Sequence, residues 1–310
     1  MASLSAADGR YAPSPSGPLH VGNLRTALLA WCFARSRSVR FLLRIEDLDR
    51  RRSRPEHEAR IIADLQRLGI EWDGPPSRQS ERIGLHRAAF ERLRDDGRLY
   101  PCWCTRAEIR EAAAAPHAPD REGAYPGTCR TLSAAQRSAR LRAGAPAAWR
   151  IDSGAQRVSF TDAVAGDTEA VVDDFVVWRG DDVPAYNLAV VVDDFDQGVG
   201  EVVRGDDLLA TTPRQILLAR LLGAAVPRYA HVPLVLGPDH RRLAKRHGAV
   251  TLDDRLAAGE TVETVIGWMA ASVGLAPAGA ALNAAEVLAS FDPARLHRAP
   301  TVLDAAGPLS

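Results

Sequence analysis

Lysine is almost absent from this 310-residue chain: of 39 basic side chains, Lys245 alone is a lysine and the rest are arginine. Alanine runs such as Ala112–Ala115 accompany that skew, which reads as a codon bias toward Arg and Ala. A lysine kept against it marks a place where a compact ammonium serves and a guanidinium does not. Net charge is absent too, with 39 acidic residues against the 39 basic. That excludes a global field drawing in nucleic acid, although a local basic surface would still suffice. No apolar run approaches the roughly 18 residues of a membrane span, which excludes an integral membrane helix. The segment Met1–Gly9 lacks the basic and apolar regions of a secretory signal, so the cytoplasm is the expected compartment. Cysteine is scarce, with four in the chain, and in that compartment they argue for metal before disulfide.

What remains is ordinary for a soluble globular protein: 46% hydrophobic and 25% charged residues, in a chain long enough for about two domains. Gly9–Gly17 reads as a short strand entering a Pro/Gly loop, and a helix begins near Val21 with Leu24, Ala27, Leu28 and Trp31 at helical spacing. Val39–Ile45 reads as a buried strand, and Pro55–Leu68 as a helix stopped by Gly69. Strand, helix, strand, helix predicts an α/β fold with a parallel sheet. The β-branched run Tyr186–Asp193 predicts another strand, as do Glu201–Arg204 and Arg228–Leu236. Thr212-Pro213 reads as an N-cap and first helical residue. Beyond residue 250 the pattern is helical and Ala-rich.

Two segments carry the chemistry of a nucleotide site. In the first, Pro13–Asn23, a helix N-terminus offers free N–H groups to phosphate, Gly22 admits a flat base, and His20 and Asn23 can donate to phosphate oxygens. The second, Gly237–Gly248, is a basic loop after a late strand and holds Lys245. Together they can meet over one triphosphate. His20-Val-Gly-Asn23 and Arg242-Leu-Ala-Lys-Arg246 resemble the "HIGH" and "KMSKS" signatures of class I aminoacyl-tRNA synthetases, with Arg242 where lysine is common.

The segments Arg10–Gly17, Leu43–Asp49, Ala185–Asp194 and Val202–Asp207 resemble the glutamyl branch of that family. The resemblance implies a Rossmann-like parallel sheet and a glutamate pocket. Arg10 and Arg204 would grip the side-chain carboxylate, as a guanidinium fork fits a carboxylate. Glu46 and Tyr186 would sit near the α-ammonium, with Tyr11 and the Ala12-Pro13-Ser14 backbone lining the pocket. ATP, with Mg²⁺, would be held by His20, Gly22, Asn23 and Lys245. Asp47 and Asp49 are assigned a structural role at a strand end, and Cys32, on the apolar face of the first helix, a place in the core.

Cys102, Cys104 and Cys129 fall on a proline-rich stretch and suit tetrahedral zinc, which needs one further ligand. His117 and Tyr125 both lie between them, and spacing favours neither. Cys-x-Cys followed by Tyr-x-x-x-Cys resembles the zinc site of the glutamyl-queuosine tRNA(Asp) synthetase family, which implies Tyr125. A second feature points to that family: only residues 247–310 follow the lysine loop, too few for the anticodon-binding region of a full glutamyl-tRNA synthetase.

The resemblance divides the chain into a catalytic core (1–98 and 184–240), a zinc-binding insertion (99–183), and the lysine loop with a short helical region (241–310). It implies that glutamate is activated by ATP without tRNA, then attached to the queuosine base of tRNA(Asp), with no obligate protein partner. Three other readings are weighed against it. They are a tRNA-charging glutamyl-tRNA synthetase, a cofactor adenylyltransferase with a similar loop, and a non-catalytic RNA-binding relic.

Overall fold

The structure, a computed structural model, describes residues 7–105, 107–109, 125–244, 247–248, 250–304 and 309. It opens with β1 (Asp8–Tyr11), α1 (Val21–Arg35), β2 (Phe41–Ile45), α2 (Pro55–Arg67) and β3 (Ser77–Arg78). Then come α3 (Ile83–Asp95), β4 (Leu99–Cys102), α4 (Ala134–Arg142), β5 (Ala148–Ile151), β6 (Arg157–Asp162), β7 (Gly166–Val171) and β8 (Val176–Trp178). The second α/β stretch is α5 (Tyr186–Asp196), β9 (Val199–Gly205), α6 (Thr212–Leu221) and β10 (Arg228–Val232). The chain closes with β11 (Val235–Leu236), α7 (Leu252–Ala257), α8 (Val262–Ala271), α9 (Ala284–Ala289) and β12 (Thr301–Val302).

Seven strands form the central sheet in the order β3-β2-β1-β9-β10-β6-β7, all parallel except the β6–β7 hairpin. Strands of a parallel sheet are covered on both faces, which is why Arg44 is buried on one face of β2 as Phe41, Leu43 and Ile45 are on the other. Helix α1 is apolar all round and buried along nearly its whole length, so it forms the centre of the larger core together with the C-terminal helices. Helix α2 is amphipathic: Pro55 and two glutamates start it, Ile61 and Leu65 face inward, and Gly69 in the left-handed region (φ +71°) turns the chain away. Strand order reverses between β1 and β9, and a cleft opens at the carboxyl ends of strands where such a sheet changes direction. Within 99–183, β4, β5 and β8 form a separate antiparallel sheet, while β6 and β7 extend the edge of the central one.

Three local expectations are corrected. Tyr186–Asp193 is not a strand but most of helix α5. Leu188 through Asp194 are all buried, so the segment shows no polar face and carries no period by which helix and strand could be told apart; packing then overrides the β preference of its valines. The apolar run from Arg228 is two strands, because Pro233 has no N–H for a ladder. Val235–Leu236 pairs instead with β12 in a small second sheet. Thr212 is the first residue of α6 rather than its cap, which leaves its hydroxyl free for another task.

Candidate active site and metal centre

Helix α1 begins where the loop after β1 returns to the sheet. His20 is its N-cap: the Asn23 N–H donates to His20 Nδ1 (3.2 Å), and the His20 N–H donates to Asn23 Oδ1 (3.3 Å). The two side chains expected to meet phosphate thus also fix the helix terminus. A ring nitrogen that accepts carries no proton, so neutral His20 keeps its proton on Nε2 and remains a donor there. Burial, helped by the nearby Arg242 guanidinium, pushes the His20 pKa down to about 4. His20 therefore stays neutral down to pH 5, and NMR of its ring nitrogens should show one unprotonated Nδ1 from pH 8 to pH 5; titration near 6.5 would contradict this. Because the unfolded chain protonates first, the stability linked to His20 is complete above pH 6.5 and is lost as pH falls toward 4.

His20, Gly22, Asn23, Leu234 and Leu243 line one cleft. A Cβ on Gly22 would lie 3.0 Å from Val235 Cβ and 3.1 Å from His20 Nδ1, so a larger residue would crowd the cleft wall and the His20 ring. The far end of the lysine loop returns to the same place, since the Val21 N–H donates to the Val250 carbonyl at 2.7 Å. Lys245 lies outside the described residues, but Leu243 before it and Val250 after it both reach the start of α1.

The other half of the site is charged. Arg204, at the end of β9, is nearly buried (6% exposed). Its Nε donates to His231 Nε2 (3.0 Å), one terminal nitrogen to Thr212 Oγ1 (2.8 Å) and the other toward Tyr186 Oη (3.4 Å). Arginine only donates, so His231 Nε2 accepts; the imidazole proton is on Nδ1 and is given to Asp162 at 2.6 Å. His231 and Thr212 therefore hold Arg204 in one orientation with neutral atoms, and the Asp162 carboxylate behind them fixes His231. Among the described residues no carboxylate pairs with this guanidinium, an unusual state for a buried cation.

Arg10 differs. Its Nε donates to Asp194 at 3.2 Å and one terminal nitrogen to the Val203 carbonyl at 3.3 Å. Fully buried Arg44, in the middle of β2, meets Asp194 at 2.8 Å, Glu46 at 3.5 Å and Asp193 at 4.0 Å. Burial would lower the Arg44 pKa, but Asp194, Glu46 and Asp193 outweigh it and hold it above its usual range. Burial would raise the Asp194 carboxyl, but Arg10 and Arg44 keep it low; for Glu46 burial prevails and the pKa rises. Behind them Asp193 accepts from Gln79 (2.8 Å) and Arg82 (2.7 Å) and lies 2.9 Å from His86 Nε2.

Arg10, Tyr11, Glu46, Tyr186 and Arg204 thus gather around the carboxyl ends of β1, β2 and β9, with the Ala12-Pro13-Ser14 backbone between them; the Glu46 N–H donates to the Pro13 carbonyl at 2.9 Å. Asp47 accepts from the amide (2.8 Å) and hydroxyl (2.5 Å) of Ser80, the structural role expected of it. Cys32 is fully buried in α1, where burial pushes its thiol up to about 12.

The remaining three cysteines converge. The sulfurs of Cys102, Cys104 and Cys129 all lie within 4.8 Å of one another, with Cys104 and Cys129 at 3.5 Å. Tyr125 Oη is 3.4 Å from Cys102 Sγ and 3.8 Å from Cys104 Sγ. A tetrahedron with metal–sulfur bonds of about 2.3 Å has edges of about 3.8 Å, so the four atoms have the spacing of a first coordination shell. The Trp103 N–H donates to Cys129 Sγ at 3.5 Å, as an outer shell does for a thiolate. The donor set fits a metal; His117 lies outside the described residues.

Comparison with known proteins places this geometry. The family described as "tRNA synthetases class I (E and Q), catalytic domain" matches residues 7–300. A glutamyl-Q tRNA(Asp) synthetase of Nocardia farcinica is 57% identical over 95% of this chain and 92% of its own length. The chain belongs to the glutamyl-Q tRNA(Asp) synthetase family. A second member, from Symbiobacterium thermophilum, is 51% identical over 96% of each chain. A crystal structure of a glutamate tRNA ligase from Elizabethkingia meningosepticum, in complex with its amino acid, superposes with a TM-score of 0.83 at 26% identity. It covers 97% of this chain but only 68% of that ligase. The fold of this family member is thus the class I synthetase catalytic fold, and the protein is a ligase.

Several residues of the synthetase site were not singled out from sequence: Arg44, Asp162, Asp193, Asp194, Thr212 and His231. One signal was available, since an arginine inside the apolar run Phe41-Leu-Leu-Arg-Ile45 has to find anions when that run is buried. His231 and Asp162 gave none.

Proposed function

We propose that this protein activates L-glutamate with ATP in the absence of tRNA and transfers it to the queuosine base of tRNA(Asp). The observation that carries the reading is Arg204: a buried, rigidly held guanidinium with only neutral partners, at the carboxyl end of β9 beside the sheet's switch point. A γ-carboxylate supplies the anion that this group lacks. Arg10 is assigned to the same carboxylate, and Glu46 and Tyr186 to the α-ammonium.

Activation needs no protein nucleophile. The glutamate α-carboxylate attacks the α-phosphorus of ATP; an oxygen–phosphorus bond forms to give glutamyl-adenylate, and the bond to pyrophosphate breaks. His20 Nε2–H, the Asn23 amide and the Lys245 ammonium stabilise the charge that builds on the phosphates. Magnesium bound with ATP neutralises part of the same charge. Zinc is assigned to Cys102, Cys104, Tyr125 and Cys129 as a structural ion for the insertion. No described helix is long and apolar enough to cross a membrane, and the cytoplasm, where tRNA is found, is the compartment this reading requires.

ATP–pyrophosphate exchange tests the first half, with aspartate and glutamine as controls. Exchange with glutamate alone is expected; exchange that appears only after tRNA(Glu) is added would point to an ordinary charging enzyme, and none at all to a relic. The metal assignment has its own test: one zinc per chain by elemental analysis, lost in Cys129→Ser, with tRNA-independent exchange within about fivefold of wild type because the zinc site lies outside the adenylate-forming set. Full zinc retention in Cys129→Ser would sink it.

A further inference from the structure

The polar stretch between β2 and α2 contains four arginines in five residues, Arg50, Arg51, Arg52 and Arg54, with no acidic residue among them. All four are exposed. Among the described residues none of them forms an ion pair, whereas the arginines on either side do: Arg44 with Asp194, Arg60 with Asp64, Arg67 with Asp253 and Arg78 with Glu58. In a chain with no net charge, four adjacent uncompensated cations form a local field of one sign.

The loop is also fixed. The N–H groups of Arg52 and Ser53 donate to the Asp49 carbonyl (3.0 and 2.9 Å), and the Arg51 N–H donates to Asp49 Oδ1 (3.2 Å), while the nearby carboxylates of Asp47 and Glu58 are engaged by Ser80 and Arg78. The Arg54 side chain donates to the Ser53 carbonyl at 2.9 Å, and its backbone N–H to the Pro15 carbonyl at 3.1 Å. Pro15 belongs to the loop whose Pro13 carbonyl accepts from Glu46, so the arginines stand on the rim of the glutamate site. Pro15, Asp47, Arg50, Arg54, Glu58 and Ser80 line a shallow cleft there, with Glu58 held by Arg78. A second exposed basic segment, α4, is occupied with its own fold: Arg137 donates to the Arg130 carbonyl, and Arg140 covers the Trp103 ring at 5.4 Å.

We propose that Arg50, Arg51, Arg52 and Arg54 form the surface that receives the RNA backbone flanking the acceptor base. The inference rests on the reading that the protein glutamylates a base inside an RNA chain. A base delivered to the adenylate brings its neighbouring phosphates to the rim of the site, where exposed, unpaired guanidinium groups on a fixed loop can take them. Contacts of this kind fix register and supply affinity without reading sequence.

The test compares wild type with the triple variant R50Q/R51Q/R52Q and the charge-preserving R50K/R51K/R52K, using queuosine-bearing tRNA(Asp) as the probe in fluorescence anisotropy across a salt series. The glutamine variant should bind at least tenfold more weakly, with the slope of log Kd against log salt reduced by about 2–3. The lysine variant should restore most of the slope, and tRNA-independent exchange should stay within about twofold in both. Unchanged affinity and slope in the glutamine variant overturn the proposal, as does loss of exchange together with binding, which would mean the loop supports the fold. Tight, arginine-dependent binding without transfer of glutamate would keep the surface and reject the function proposed above.

Discussion

Lys245→Ala is expected to slow glutamate-dependent ATP–pyrophosphate exchange by about 10²–10³-fold, the loss seen when one pre-positioned donor to a developing negative charge is removed. The KM for glutamate should move by less than about threefold, because the proposed glutamate site draws on β1, β2, α5 and β9 rather than on the lysine loop. A compact ammonium can follow phosphate oxygens as they move, whereas a planar fork presents fixed directions, so Lys245→Arg should recover only part of the rate. Steady-state exchange kinetics over a range of glutamate concentrations decide it. Equal losses in kcat and in glutamate affinity would make the lysine a ground-state binder and remove it from the transition-state account.

Arg44→Met should lower the stability by about 3–5 kcal/mol in urea unfolding, the scale set by removing one member of a buried charge network. Glu46 loses its ion pair, and as arginine partners Asp194 and Asp193 keep only Arg10 and Arg82. The reason is geometric. Arg44 is the one cation that touches Asp194, Glu46 and Asp193 together, and none of these acids can turn to water without leaving its position. Removing Arg157, whose partner Glu169 is also on the surface, should change stability by less than about 1 kcal/mol. If Arg44→Met and Arg157→Met were equally mild, the network would be a bystander to the fold. The same variant should weaken glutamate binding, since Asp194 also anchors Arg10.

Much of this was legible in the chain because several local signals agreed. Strand, glycine-containing loop, helix and basic strand-end loop came in an order that matches a parallel sheet with its site at one end. His20, Gly22 and the glutamate-pocket residues could be named because they sit in contiguous segments that resemble a family. What stayed hidden were relations between distant segments. Asp162, Arg204 and His231 form one hydrogen-bonded chain, yet 69 residues separate Asp162 from His231, and nothing in either local sequence announces the other. Tyr186 was named for its chemistry but placed on a strand, because a run of valines buried on every side looks the same in either conformation. Spacing settles no fourth ligand for the cysteine cluster, whereas the structure brings Tyr125 Oη within 3.4 Å of Cys102 Sγ and 3.8 Å of Cys104 Sγ. The stretch Arg50–Arg54 carries no motif, and only the structure shows that, among the described residues, its charges form no ion pair while those of Arg44, Arg60 and Arg78 do.

The central claim is that glutamate ends on a base within the anticodon rather than on the terminal ribose. The most direct measurement incubates the protein with labelled glutamate, ATP and queuosine-bearing tRNA(Asp), digests the RNA to nucleosides and locates the label by mass spectrometry. The account predicts label on the queuosine nucleoside, and none when the tRNA lacks that base. Label on the terminal adenosine, whether or not queuosine is present, would contradict it and make this chain a charging enzyme.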